Sequence, residues 1–161
     1  DICAKLRPAL DKYFPVERGV RILAEPGRYF VGSSHTLAVN IIGRKIIDGS
    51  VKYFVNDGIY GSFNCILYDH ARVSPHMLEA PPEPLLQMPA SVWGHTCDGL
   101  DCTVPKTELP LLELGTWLYF PNMGAYTASA GSTFNGMPLQ SKVYLSYYEE
   151  TEEQQLLEVA A

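Results

Sequence analysis

From Thr36 onward the chain is cut into short β-branched and aromatic runs separated by turn residues, and this punctuation limits what it can fold into. Thr36–Lys45 reads Thr-Leu-Ala-Val-Asn-Ile-Ile-Gly-Arg-Lys, and Val51–Gly58 follows after an Asp48-Gly49-Ser50 turn, which spells a long hairpin. Strand signals return at Ala90–Trp93, Thr103–Val104, Leu111–Leu114, Thr116–Phe120 and Lys142–Tyr147. Short strands with turns between them predict a β-barrel or sandwich. Phe63–His70 fits a short helix and a strand equally, because periodicity over so few residues does not separate the two. Pro75, Pro81, Pro82, Pro84 and Pro89 mark an extended surface connection ahead of the later strands.

Upstream the pattern changes. Cys3–Phe14 places Leu6, Leu10 and Tyr13 or Phe14 at helical spacing, and Pro15 ends the run. The helix begins without an N-cap, so the chain is expected to start partway through a larger architecture. Gly19–Ala24 then reads as an apolar strand that stops at Glu25-Pro26-Gly27-Arg28. Helix, strand and turn in this order is the rhythm of an α/β barrel, whose chemistry sits at the carboxyl ends of strands. The expected fold is therefore mainly β. The last helix and strand of a TIM-like α/β barrel (residues 1–35) precede a C-terminal β-barrel or sandwich domain (36–147) and an acidic tail (148–161). Pro26 and Gly27 let backbone N–H groups turn toward an anion, and Arg28 adds a planar cation, so a phosphate would suit this turn. A plain strand-to-helix turn with a surface arginine is the alternative.

Of the 161 residues 47% are hydrophobic, enough for the core of one domain. Twelve Lys and Arg against 18 Asp and Glu, with no basic block, leave a nucleic-acid backbone nothing to pair with. No apolar run approaches the roughly 18 residues of a membrane span, and Asp1-Ile2-Cys3 opens no signal pattern. A cytoplasmic protein is expected. The four cysteines contain no Cys-x-x-Cys and the four histidines show no paired spacing, so neither a disulfide framework nor a metal site is expected.

Ser91–Asp101, Ser-Val-Trp-Gly-His-Thr-Cys-Asp-Gly-Leu-Asp, holds a thiol and two carboxylates between glycines just after an apolar run. Cys97 could be a reactive thiol on a loop or a small buried hydrophobe beside an Asp-Gly turn.

Six segments in order, Ala24–Tyr29, Val55–Phe63, Leu67–His70, Trp93–Asp101, Met123–Thr127 and Ser132–Gly136, together resemble the eukaryotic-type ornithine decarboxylases, from about Pro8 to Tyr147. The resemblance implies a pyridoxal-5'-phosphate enzyme with an alanine-racemase-like barrel and a β-domain, working as a cytoplasmic homodimer in polyamine biosynthesis and converting ornithine to putrescine and carbon dioxide. It places the Schiff-base lysine and a glycine-rich phosphate loop in earlier barrel strands that these 161 residues do not contain. The chain is thus expected to be the C-terminal portion, inactive by itself.

By the same resemblance Glu25 faces the pyridine nitrogen of the cofactor, Gly27 and Arg28 hold its phosphate, and Tyr126 donates a hydroxyl to that phosphate. Asp69 and Asp98 bind the distal ammonium of the substrate, since a buried cation needs counter-charge, and Tyr68 lines the pocket. Cys97 protonates the α-carbon, on a loop lent to the partner subunit's site. Asp101, paired with a basic residue outside this chain, and Phe134 support the dimer contact. Tyr60 and Asn135 are read as structural. His95 stands where such proteins usually carry proline. A decarboxylase for arginine, lysine or another amino acid is one alternative. A non-catalytic homologue of the antizyme-inhibitor kind, binding an antizyme-type regulator, is the other.

Overall fold

The computed structural model describes residues 2–79, 83 and 85–145. Helix α1 (Ile2–Tyr13) ends before Pro15, as its spacing demands. Six strands follow: β1 (Leu37–Ile47), β2 (Ser50–Val55), β3 (His76–Met77), β4 (Gln87–Trp93), β5 (Cys102–Pro110) and β6 (Trp117–Phe120). They form one mixed sheet in the order β3-β6-β1-β2-β4-β5, so the domain is mainly β.

The β1–β2 hairpin closes from Ile47 opposite Ser50 through Asp48 and Gly49, at φ 49° and 75°. Two successive left-handed residues match the twist of a two-residue hairpin, which is why Asp-Gly is favoured there. Along β2 burial alternates, with Val51, Tyr53 and Val55 inside. Strand β1 serves two neighbours: Leu37–Asn40 pair with β6 and Ile41–Ile47 with β2, and a bulge between Ile41 and Gly43 marks the change. The core runs across the sheet from Leu118 and Phe120 through Val39, Ile41, Tyr53 and Val55 to Val92 and Val104. Phe63 caps it, its ring edge-on to Phe120 at 4.9 Å. The Tyr53 hydroxyl donates to the Pro110 carbonyl at 2.7 Å and accepts from the Leu112 N–H at 2.9 Å. Burial pushes this phenol above its ordinary range.

Several expectations are corrected. Gly19–Ala24 forms no strand and pairs with none among the described residues, leaving Leu23 73% exposed. An apolar run becomes a strand only when a neighbour supplies the ladder. Leu111–Leu114 is likewise a connection, drawn in by the Tyr53 hydroxyl, while the strand lies just before it in β5. Strand β5 is an edge, where Pro105 and Pro110 need no donor. Lys142–Leu145 is unpaired among the described residues. Ser146, Tyr147 and the tail 148–161 lie outside them. The ambiguous Phe63–His70 is resolved as a turn of 3₁₀ helix (Ser62–Asn64) running into a short α-helix (Cys65–Tyr68). Strands β2 and β4 pair in parallel, through a long excursion over residues 56–86 that includes the proline-rich stretch.

Candidate functional site: an anion cradle and a thiol loop

The first cluster forms where two loops are stitched together. The Met123 and Gly124 N–H groups donate to the His35 and Gly32 carbonyls at 2.9 and 3.1 Å. A Cβ on Gly124 would run into the Val31 carbonyl oxygen, so only glycine allows this approach. The stitch fixes Tyr126, held at φ 55° between buried Ala125 and Thr127. Thr127 is tied down by its hydroxyl donating to the Met123 carbonyl at 2.5 Å and by its own carbonyl accepting from Asn64 Nδ2 at 2.6 Å. The Tyr126 ring lies 5.5 Å from the Arg28 guanidinium, and its hydroxyl would sit 3.6 Å from a Cβ built on Gly27.

Arg28 belongs to the short helix Gly27–Val31, and its guanidinium is ion-paired with Asp69, which terminates the Cys65–Tyr68 helix. The pair opens on a cleft of about 420 Å³ whose walls also carry Arg72 and His76. The donor set here, a guanidinium, a phenol and the backbone at Gly27, suits a phosphate dianion. Glu25 stands exposed just before it, and Tyr68, next to Asp69 in sequence, is 74% exposed.

The second cluster is the loop from Gly94 to Asp101 that joins β4 to β5. Its organiser is Asp101, 1% exposed. One carboxylate oxygen accepts from the Ile59 N–H at 2.9 Å, the other from the Thr96 N–H at 3.0 Å and the Thr96 hydroxyl at 2.6 Å. A Cβ on either Gly58 or Gly94 would overlap that carboxylate. These bonds, with the Gly94 N–H donating to the Asp101 carbonyl at 2.8 Å, set the loop so that Cys97 is a free, exposed thiol at its outer bend.

Next to it, Asp98 accepts from the Leu100 N–H at 2.9 Å and from the Tyr60 hydroxyl. The Leu100 N–H, and then the phenol, hold the Asp98 carboxyl below the usual carboxylate range. In return the bond to Asp98 pushes the Tyr60 hydroxyl up to about 12. The Phe134 ring packs on Tyr60 with centroids 4.1 Å apart, and Asn135 Nδ2 approaches Cys97 Sγ at 3.9 Å.

The residues singled out in the sequence thus fall into two groups. Gly27, Arg28, Asp69 and Tyr126 are brought together. Cys97, Asp98 and Phe134 form the other group, and neither Cys97 nor Asp98 lines the cleft beside Asp69. Asp101 is turned inward and accepts from donors of its own chain, while the basic residue expected to pair with it lies outside this chain. Buried N–H and hydroxyl groups drew it in, because each would otherwise be unpaired. Tyr60 and Asn135 were passed over as structural, yet they touch the carboxylate and the thiol. Tyr60 sits 38 residues from Asp98, beyond any local pattern.

The described residues form a mixed sheet domain with a cradle of phosphate-type donors at one loop cluster and an exposed thiol beside a held carboxylate at another. The profile described as pyridoxal-dependent decarboxylase, C-terminal sheet domain, matches residues 28–124. The chain belongs to this family of pyridoxal-dependent decarboxylases.

Ornithine decarboxylase of Cricetulus griseus is 50% identical over 156 residues, covering 90% of this chain and 34% of that protein. Antizyme inhibitor 2 of Xenopus laevis is 48% identical over 158 residues, covering 89% and 34%. Among solved structures, the lysine/ornithine decarboxylase of Vibrio vulnificus complexed with cadaverine superposes with a TM-score of 0.79 at 31% identity, over 90% of this chain and 38% of that one. The chain spans about one third of the length of the curated relatives it matches.

Proposed function

We propose that this chain is the C-terminal part of a cytoplasmic, homodimeric ornithine decarboxylase that uses pyridoxal 5'-phosphate to make putrescine for polyamine biosynthesis. The observation that carries the reading is the division of the site: the chain holds an anion cradle and a thiol–carboxylate loop that do not meet. Each is completed by residues outside this chain, and two-fold symmetry of the full-length protein would bring the loop of one copy to the cradle of the other twice over. An exposed thiol used as an acid also requires a reducing compartment.

Bound pyridoxal phosphate supplies the electron sink for the pair left behind as carbon dioxide departs. Arg28 and Tyr126 hold its phosphate, with Gly27 giving room, and Glu25 keeps the ring nitrogen protonated. Arg28 would hold the phosphate, and Asp69, its partly exposed ion-pair partner, would face the distal ammonium of the substrate. Asp98 from the other subunit, ionised across the neutral range, provides the second negative charge. The Cys97 S–H bond breaks as a C–H bond forms at the carbon that lost carbon dioxide, and the thiolate regains its proton from solvent. Paired carboxylates select a substrate with a terminal amine and so favour a diamine-forming reaction.

Mixed dimers test the division. Co-expression of full-length Arg28→Ala and Cys97→Ala chains, each inactive alone, should restore about a quarter of wild-type activity, because half of the dimers then carry one intact site. No recovery in verified mixed dimers would defeat the shared-site reading. The likeness to Antizyme inhibitor 2 supports a second reading, a non-catalytic homologue that binds an antizyme-type regulator. The presence of Cys97, Asp98 and Tyr126 in one frame favours the enzyme. Absence of carbon dioxide release by the cofactor-loaded full-length dimer would favour the other.

A further inference from the structure

The side chain that reaches the thiol comes from a segment far along the chain. Asn135 Nδ2 donates toward Cys97 Sγ across 3.9 Å. Its backbone is left-handed, at φ 59° and ψ 20°, inside a 3₁₀ turn over Phe134–Gly136. Asparagine is one of the few residues besides glycine that enters this region readily, and it alone among them brings amide donors.

The turn is closed by the Gly136 N–H donating to the Thr133 carbonyl at 3.0 Å and the Met137 N–H to the Phe134 carbonyl at 3.2 Å. Adjacent residues of this turn therefore grip adjacent residues of the loop. Phe134 packs on Tyr60, whose hydroxyl holds Asp98, and Asn135 reaches Cys97 directly. An amide N–H aimed at sulfur points the thiol in one direction and stays available to the sulfur when it reacts.

We propose that Asn135 is a positioning residue for Cys97, setting the orientation of the proton donor. The inference rests on the proposed role of Cys97. The titratable groups near the thiol are His95, Asp98 and Asp101 on its own loop and Tyr60 from the facing turn, and the test leaves all four unchanged.

The test is the rate of iodoacetamide alkylation of Cys97 in the full-length, cofactor-loaded dimer near neutral pH, with a Cys97→Ala background subtracting the other thiols. Asn135→Gly keeps the backbone region and removes the amide, and Asn135→Asp keeps the size but turns a donor into an anion. Loss of one hydrogen bond predicts alkylation slower by roughly threefold to tenfold in Asn135→Gly and slower still in Asn135→Asp. The turnover number should fall in the same order while the ornithine KM holds, since Asp98 keeps its partners. Unchanged alkylation in both folded, dimeric variants would overturn the proposal. Should Cys97→Ala retain full activity while alkylation still responds to Asn135, the role of Cys97 in catalysis fails and the contact itself stands.

Discussion

Asp69 and Asp98 are expected to share one task, yet the molecule holds them in opposite ways. Asp69 sits at a helix end in an ion pair with Arg28, both side chains partly open to solvent. Among the described residues Asp98 has no cation; a backbone N–H and a phenol hold it. A half-exposed ion pair is worth little in water and exchanges partners readily, so Asp69 is not locked to Arg28. Hydrogen bonds from neutral donors leave the charge of Asp98 uncancelled while fixing its direction. One carboxylate is thus kept in reserve and the other is kept ready.

The comparison can be broken most forcefully at the thiol. Cys97→Ala in the full-length enzyme should lower putrescine formation by about 10² to 10⁴, the range of a lost general acid, with cofactor absorbance unchanged. Near-normal output would remove the loop from the chemistry. Arg28→Ala should weaken cofactor binding by about tenfold or more, for loss of a charge-assisted phosphate contact. If titration of the apoenzyme with pyridoxal phosphate shows wild-type affinity, the cradle is not where the phosphate rests.

Gly58→Ala forces a methyl into the Asp101 carboxylate. It should cost about 2 kcal/mol of stability, readable by urea unfolding, and should leave Arg28 chemistry less affected than Cys97 alkylation. Equal loss in both clusters would mean that they are not independent.

The smallest effect is expected from Tyr60→Phe, which should raise the ornithine KM a few-fold by freeing Asp98 to rotate. The sign with pH follows from the two shifts. A lowered carboxylate stabilises the fold above its ordinary value of 3.8 and loses that contribution as pH falls through the folded value. A raised phenol stabilises it below 10.0 and loses that contribution as pH rises through about 12. The bond is therefore intact between those limits, and Tyr60→Phe should move the acid-side rise of KM to higher pH. A KM profile identical to wild type would show that the phenol does not govern Asp98.

Much of the fold was legible where the signal was local. Asp48-Gly49 predicted the hairpin because two adjacent residues suffice to set that turn. Pro15 predicted the end of α1 for the same kind of reason. Leu111–Leu114 misled because Leu112 packs its side chain in the core while its N–H donates to the Tyr53 hydroxyl, 59 residues away, rather than to a strand partner. The parallel β2–β4 pairing has no sequence mark, since its partners Val51–Phe54 and Ala90–Trp93 are brought together from positions about 39 residues apart.

At the site, the sequence by itself determined which chemistry-bearing residues lie in which loops: a Pro-Gly-Arg turn, a Cys-Asp pair between glycines, and six ordered segments that resemble one family. Only the tertiary structure decided what each of them touches. It sent Asp101 inside, gave Asp69 an arginine and Asp98 a phenol, and put Asn135 over the thiol. Turn identity is set by adjacent φ and ψ angles, which a few residues control. The partner of a buried or half-buried polar group is whichever donor the packing of distant segments delivers, and no local pattern records it.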